Sequence, residues 1–244
     1  MIDIINTLVR TYNQGVINQN IKGDFFADKL ALYITFFVII SAVAYLIGSL
    51  NFGVIISKRY GKDIRDSGSG NAGATNMTRL FGKKIGILTF VGDALKAMIS
   101  CLIGILLVGS LGGFVAGFFC VVGHAFPVYF KFKGGKGIAC MAGVVLVTSP
   151  GCFLILLAVY LVLLFGFKMV SFASVMTVII YPFLLSMTNG YGLQIIVALA
   201  CSALIAVLHR ENIARIFNHQ EPKIQIGKKK KENLKVNTDE DGQK

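Results

Sequence analysis

Ile85-Gly86-Ile87-Leu88-Thr89-Phe90-Val91-Gly92-Asp93-Ala94-Leu95-Lys96-Ala97-Met98-Ile99-Ser100-Cys101-Leu102-Ile103-Gly104-Ile105-Leu106-Leu107-Val108-Gly109-Ser110-Leu111 is an apolar run with one carboxylate and one ammonium inside it. As a helix it spans ~40 Å, enough to cross a hydrocarbon core of ~30 Å. A charge at mid-membrane costs ~2.5–3.5 kcal/mol on insertion scales, so such groups face a bundle interior. Asp93 and Lys96 are three residues apart and share a helix face. They read as a bracing ion pair, with direct substrate contact as the other option.

The neighbouring sequence repeats the signal. Apolar runs cover 30–57, 111–130, 137–167, 169–188 and 191–208. Hydrophobic residues make up 55% of the 244, charged residues only 15%, and the mean hydropathy is +0.71. Soluble chains carry about 25% charge. The expected fold is therefore all-α, a polytopic membrane helix bundle. Residues 1–28 form an N-terminal extension with no basic start before an apolar core, so no signal peptide is expected. Residues 29–222 are expected to form one membrane-embedded domain. The lysine-rich 223–244 reads as a disordered cytoplasmic tail resting on anionic lipid, not as a nucleic-acid binder.

Basic residues set the topology. Seven lie between the first two runs, three follow the third, Lys168 lies later, and nine follow the last, twenty of the 24 in all. If 137–167 breaks at Ser149-Pro150-Gly151, there are seven spans and all twenty face one side. The positive-inside rule then puts the N-terminus outside and the C-terminus in the cytoplasm. Gly109/Gly113 and Gly113/Gly117 have the spacing of close helix packing. The five cysteines lack any Cys-x-x-Cys and read as small packing residues; neither a metal nor a disulfide framework is indicated.

Three polar stretches interrupt the apolar pattern. Gly68 to Asn76 matches G-x-G-x-x-G, but a charged loop precedes it, so the dinucleotide reading fails. What survives is a glycine turn leading into a helix near Ala74, with Ser69, Asn71, Thr75 and Asn76 as donors and Arg79 one turn on. Lys133-Gly134-Gly135-Lys136-Gly137 lacks the P-loop spacing, yet its glycine amides and Lys136 would suit an anion at a helix start. His124, just upstream, reads as a structural hydrogen-bonder. In His209-Arg210-Glu211-Asn212, His209 and Asn212 share a face, and Glu211 could hold basic groups in place.

Taken together and in order, these stretches resemble the acyl-phosphate-dependent glycerol-3-phosphate acyltransferases, the bacterial PlsY family. The resemblance runs from about Ala44 to Lys223 and includes Gly48-Ser49, Asp93-x-x-Lys96 and Ser171-x-x-Ser174. It implies seven helices in the inner (plasma) membrane with the active site facing the cytoplasm. It also implies transfer of a fatty acyl group from acyl phosphate to the sn-1 hydroxyl of glycerol 3-phosphate, giving lysophosphatidic acid and phosphate. By motif position, Ser69, Arg79, His209, Asn71 and Asn76 would hold glycerol 3-phosphate. Gly134, Gly135, Lys136, Gly137, Thr75, Ser174 and Asn212 would take the acyl phosphate. His209, Asn212, Lys136 and Ser69 are the catalytic set; Glu211, Asp93, Lys96 and His124 would be structural. No cofactor or metal is implied. Besides membrane lipid, the partner would be an enzyme that supplies acyl phosphate. The chain departs from the family at Asn51, where a proline that kinks the first span is usual, at Cys140, usually threonine, and at Asn218 to Pro222.

An acyl phosphate is already activated, so such an enzyme mainly juxtaposes two anions and neutralises them. No His-x-x-x-x-Asp is present: the residues five after His124, His209 and His219 are Tyr129, Ala214 and Ile224. The expectation is that a donor phosphate oxygen takes the hydroxyl proton while His209 orients the acceptor. The competing functions are a transporter of an organic phosphate and a lipid-anchored scaffold.

Overall fold

The computed structural model describes residues 7, 10, 11, 13–16, 26–188 and 192–224. From Phe26 onward the regular elements among them are all helical: α1 (Phe26–Gly48), α2 (Phe52–Arg59), α3 (Ala74–Phe81), α4 (Lys83–Val108), α5 (Ser110–Ala125), α6 (Ile138–Thr148), α7 (Pro150–Phe167), α8 (Val170–Ser186), α9 (Gly192–Leu208) and α10 (Arg210–Phe217), with 3-10 turns at Ile64–Asp66 and Val128–Phe130. Four stretches are long and apolar enough to cross a membrane: Leu30–Arg59, Lys83–Val108, Ser110–Phe130 and Pro150–Phe167. A fifth qualifies if α9 and α10, bent by 63°, count as one. Helices α6 and α8 are apolar but shorter. Most of 1–28 and all of 225–244 lie outside the described residues.

The chain breaks its helices by local chemistry. Pro150 lacks an amide hydrogen and takes the first position of α7, so the 137–167 run divides at Ser149. Gly82 (φ 86°) and Gly109 (φ 85°) occupy left-handed backbone between α3 and α4 and between α4 and α5. Losing the usual proline at Asn51 does not straighten the first span. Helix α1 still ends at Gly48, and Asn51 caps α2 by accepting a 3.1 Å hydrogen bond from the Val54 amide.

Helices α4, α5 and α6 form the centre, with α1 against α4 and α5, α3 along α4, and α7 to α9 in sequence until α9 returns to α5. Helices α4 and α5 approach closely at Gly104 and Gly112, where a Cβ on either would strike the other's carbonyl oxygen. Of the Gly109/Gly113/Gly117 spacing, Gly113 packs closely on Ile105 of α4 and Gly117 on Val144 of α6 and Cys101 of α4, while Gly109 forms the turn. The inner faces carry Asp93, Lys96, Ser100, His124 and Ser202, while Leu154, Val162 and Phe183 point outward at 67%, 72% and 67% exposure. Polar groups inside and bare apolar groups outside suit a bundle in lipid. All five cysteines lie in the apolar core.

Candidate active site

The first polar segment is built around Asn76. This side chain is buried, and its amide nitrogen donates to the carbonyls of Ile64 (3.3 Å), Ser67 (3.0 Å) and Asn71 (3.1 Å). Its oxygen accepts from the Ser69 amide at 3.1 Å. Asn76 therefore spends its hydrogen-bonding capacity on the loop, and acts as its clamp. Gly68 (φ 64°) is pressed against it, so a side chain there would strike Asn76 Oδ1. The loop presents Ser69, Thr75 and Arg79 to the outside, with Asn71 half-buried. Arg79 makes no ion pair or hydrogen bond among the described residues.

Arg65 ties this loop to the second segment. Its guanidinium donates to Asp63 Oδ1 (2.9 Å) and Oδ2 (2.6 Å), and its other arm donates to the Phe130 carbonyl at 2.7 Å. The hydrogen bond from Arg65 pulls the Asp63 carboxyl down to about 2. Beyond Phe130, Lys131 (φ 56°) and Phe132 (φ 58°) sit in left-handed backbone. That conformation costs roughly 1–2 kcal/mol per non-glycine residue, which the Arg65 tie helps to hold in place. A polar cleft lined by Asp63, Arg65, Asp66, Gly70, Lys131, Lys133 and Gly134, of mixed charge, lies between the two segments.

In this second segment two glycine amides are already committed. Gly134 N donates to Ala125 O and Gly135 N to His124 O, both at 3.1 Å. A Cβ on Gly134 would strike the His124 carbonyl oxygen, and one on Gly135 would strike the His124 ring. These glycines thus supply space for a tight return onto the end of α5, not free donors. Donors remain at the start of α6, where first-turn amides have no intrahelical partner, beginning after Gly137 (φ 83°).

The third segment meets Lys136. Lys136 Nζ donates to Asn212 Oδ1. The Asn212 amide nitrogen donates at 2.8 Å to both Ser171 Oγ and Glu221 Oε1. Arg215 Nε donates to Glu221 Oε2 at 2.8 Å. Burial, with Arg215 nearby, pulls the Lys136 ammonium below lysine's ordinary value, and Glu211 and Glu221 offset part of that. Burial pushes the Glu221 carboxyl up, but hydrogen bonds from Ser171, Asn212 and Arg215 outweigh it and hold it below the usual carboxylate range. Glu211 is exposed, so the carboxylate that braces Asn212 and Arg215 is Glu221. His209 is buried with Nδ1 2.8 Å from the Ile205 carbonyl, which leaves Nε2 unengaged. Ser174 is buried one turn beyond Ser171.

Beneath these segments, Lys96 Nζ has three acceptors: Asp93 Oδ1 (2.7 Å), the Leu50 carbonyl (2.8 Å) and His124 Nδ1 (3.0 Å). An ammonium has three hydrogens, so each finds a partner. With its ring proton on Nε2, toward Gly135, His124 accepts from Lys96; with the proton on Nδ1, it donates to Asp93 Oδ1, 3.3 Å away. Asp93, His124 and Cys140 approach one another within 4.8 Å as metal ligands would. Lys96 already supplies that cluster's positive charge.

Sequence reasoning missed Arg65 and Glu221 as parts of the site. An acidic residue amid the basic residues after the last span was the only signal for Glu221. Contacts among the polar segments bring Ser69's loop, Lys136 and His209 to one end of the bundle.

Known proteins resemble this chain over most of its length. The family model for glycerol-3-phosphate acyltransferase matches residues 38–219. A glycerol-3-phosphate acyltransferase of Syntrophotalea carbinolica is 41% identical over 192 residues, 77% of this chain and 97% of that protein. One from Aquifex aeolicus is 43% identical over 181 residues, 73% and 94% of the two chains. A crystal structure of PlsY, an integral membrane glycerol 3-phosphate acyltransferase in its glycerol 3-phosphate form, superposes with a TM-score of 0.75 at 39% identity, covering 78% of this chain and 96% of that one. The clamp on the glycine loop, the tight turn against α5 and the Lys136–Asn212 contact are thus features of a chain that belongs to the glycerol-3-phosphate acyltransferase family.

Proposed function

We propose that this protein transfers a fatty acyl group from acyl phosphate to the sn-1 hydroxyl of glycerol 3-phosphate. The hydroxyl oxygen bonds to the acyl carbon, the carbonyl carbon–phosphate oxygen bond breaks, and the hydroxyl proton leaves on the departing phosphate. The products are lysophosphatidic acid and inorganic phosphate. The related crystal structures were obtained in glycerol 3-phosphate and lysophosphatidic acid forms, an acceptor and a product of this type.

One observation carries the reading: the loop that presents Ser69 and the turn that carries Lys136 are tied together by Arg65, while Lys136 is tied to Asn212 beside His209. Two mutually repelling phosphates need cationic groups close together in a partly water-excluded place, and this is the end of the bundle that offers them. Ser69, Arg79 and Asn71 take glycerol 3-phosphate, with Asn76 shaping their loop. Lys136, Gly137 and the start of α6 take the acyl phosphate, with Thr75 and Ser174 alongside. Gly134 and Gly135 set the turn.

The seven apolar helices α1 and α4 to α9 each cross the membrane in this reading. The N-terminus is outside, the C-terminus and site face the cytoplasm, and an acyl-phosphate-producing enzyme supplies the donor from that side. The basic residues after α1, α5, α7 and α9 support this orientation. Purified protein given acyl phosphate should release phosphate only when glycerol 3-phosphate is added. Acceptor-independent release, or glycerol 3-phosphate counterflow in liposomes without product, would sink the reading.

A further inference from the structure

We infer that Glu221 is a positioning residue for Lys136, acting through the side-chain amide of Asn212. The inference rests on Lys136 being a ligand of the donor phosphate, and deepens that reading.

The Asn212 side-chain amide joins Glu221 to Lys136. Its nitrogen has two hydrogens and its oxygen none, so orientation follows from its partners. A carboxylate only accepts. With Glu221 Oε1 at 2.8 Å, the nitrogen must face Glu221, and its second hydrogen goes to Ser171 Oγ, also at 2.8 Å. The Asn212 oxygen is then forced toward Lys136 Nζ, which it meets. Asn212 is therefore fully occupied as a relay, with no hydrogen left for a phosphate. Its contribution to donor binding is to hold the ammonium at the mouth of α6.

Glu221 itself is fixed on a short strap. Gln220 N donates to Arg215 O and Ile224 N to Lys168 O, each at 2.7 Å, so the strap is pinned on both sides of the carboxylate. Arg215 Nε holds the other carboxylate oxygen at 2.8 Å. The charged or titratable groups acting on Lys136 are Arg215, Glu211 and Glu221, with His209 also within its field. Arg215 disfavours the ammonium and Glu221 favours it. Glu221 thus serves twice: it sets the direction of Asn212 Oδ1 and it keeps Lys136 charged. Glu221→Gln keeps the shape but removes both effects, since a glutamine amide can turn a donor toward Asn212.

The test uses the full-length protein in detergent, with an amine-reactive reagent and mass spectrometry reading the labelling rate of Lys136 against pH. Glu221→Gln should lower the labelling midpoint and speed labelling near pH 8 by about 3–10-fold, as expected for a shift of half to one pH unit. Arg215→Gln should move the midpoint upward. Opposite shifts support a specific electrostatic role, because general loosening would move both variants the same way. In kinetics, Glu221→Gln should raise the KM for acyl phosphate several-fold, with that for glycerol 3-phosphate changed less than about twofold. The effect should vanish in a Lys136→Met background. Same-direction or absent labelling shifts overturn the positioning role, even in a fully active enzyme. An unchanged acyl phosphate KM in Lys136→Met instead overturns the donor-site reading, and the kinetic half of this inference with it.

Discussion

Lys96 Nζ lies 2.7 Å from Asp93 Oδ1 inside α4, and both side chains are almost wholly buried. Two opposite charges in an apolar interior attract strongly but lose their hydration, so the pair is close to neutral overall. Removing one partner is not. Lys96→Met leaves the Asp93 carboxylate, the Leu50 carbonyl and His124 Nδ1 without their shared donor. Thermal unfolding in detergent should show a loss of roughly 3–5 kcal/mol. Lys96→Met/Asp93→Leu should recover much of it. A single variant as stable as the parent would show that Lys96 does not brace this end of the bundle.

The bracing matters because His124 is the floor under Gly135. Gly135→Ala would drive a methyl group into the His124 ring, which Lys96 holds in place. Overpacking of this kind costs about 1–3 kcal/mol, and the turn relieves it by moving away from α5. Lys136 moves with the turn. The expected result is a fall in kcat/KM of about 10–100-fold with helical content unchanged. Near-normal activity in Gly135→Ala would mean that the seat of the turn on His124 does not control the position of Lys136.

The apolar helices were legible because helix length and apolarity are local properties. The Asp93–Lys96 contact was legible for a similar reason: a three-residue separation puts both on one helix face. Tertiary closure was not. Whether the Gly134 and Gly135 amides point outward depends on two carbonyls at the end of α5, which no spacing rule supplies. Asn76 looked like a donor to a ligand because it lies in a glycine motif, yet the loop folds around it and uses it up. Glu221 was overshadowed by Glu211, which is nearer Asn212 in sequence but exposed. Ser69 and Arg79, by contrast, stay exposed on the loop surface, where a reading of the motif alone places them.

Asn51 shows how a different residue can make the same break. Its carbonyl oxygen caps α2, but its Nδ2 is buried with no hydrogen-bond partner among the described residues. An N-cap is worth about 1 kcal/mol, and a buried unsatisfied donor costs about 1–3 kcal/mol. The backbone at Asn51 (φ −82°) is close to what proline requires, and its amide donates no backbone hydrogen bond among the described residues. Asn51→Pro should therefore leave stability unchanged or raise it slightly. A fall in Tm of more than about 5 °C would show that the cap outweighs the orphaned amide.

His209 Nδ1 is 2.8 Å from the Ile205 carbonyl, and a carbonyl can only accept, so Nδ1 carries the hydrogen. Nε2 is then the available nitrogen and can accept from the sn-1 hydroxyl. Among the described residues no carboxylate meets Nδ1, so His209 lacks the partner that makes a histidine a strong base in hydrolytic triads. Acyl phosphate brings its own basic oxygens to within reach of the same hydroxyl. The expectation is therefore that His209 orients the acceptor and the donor phosphate takes the proton. His209→Ala should lower kcat/KM by about 10–100-fold, with added imidazole restoring nothing, because orientation cannot be supplied by a diffusing ring. Complete loss of turnover at saturating substrates, with recovery on adding imidazole, would assign the base to His209 instead.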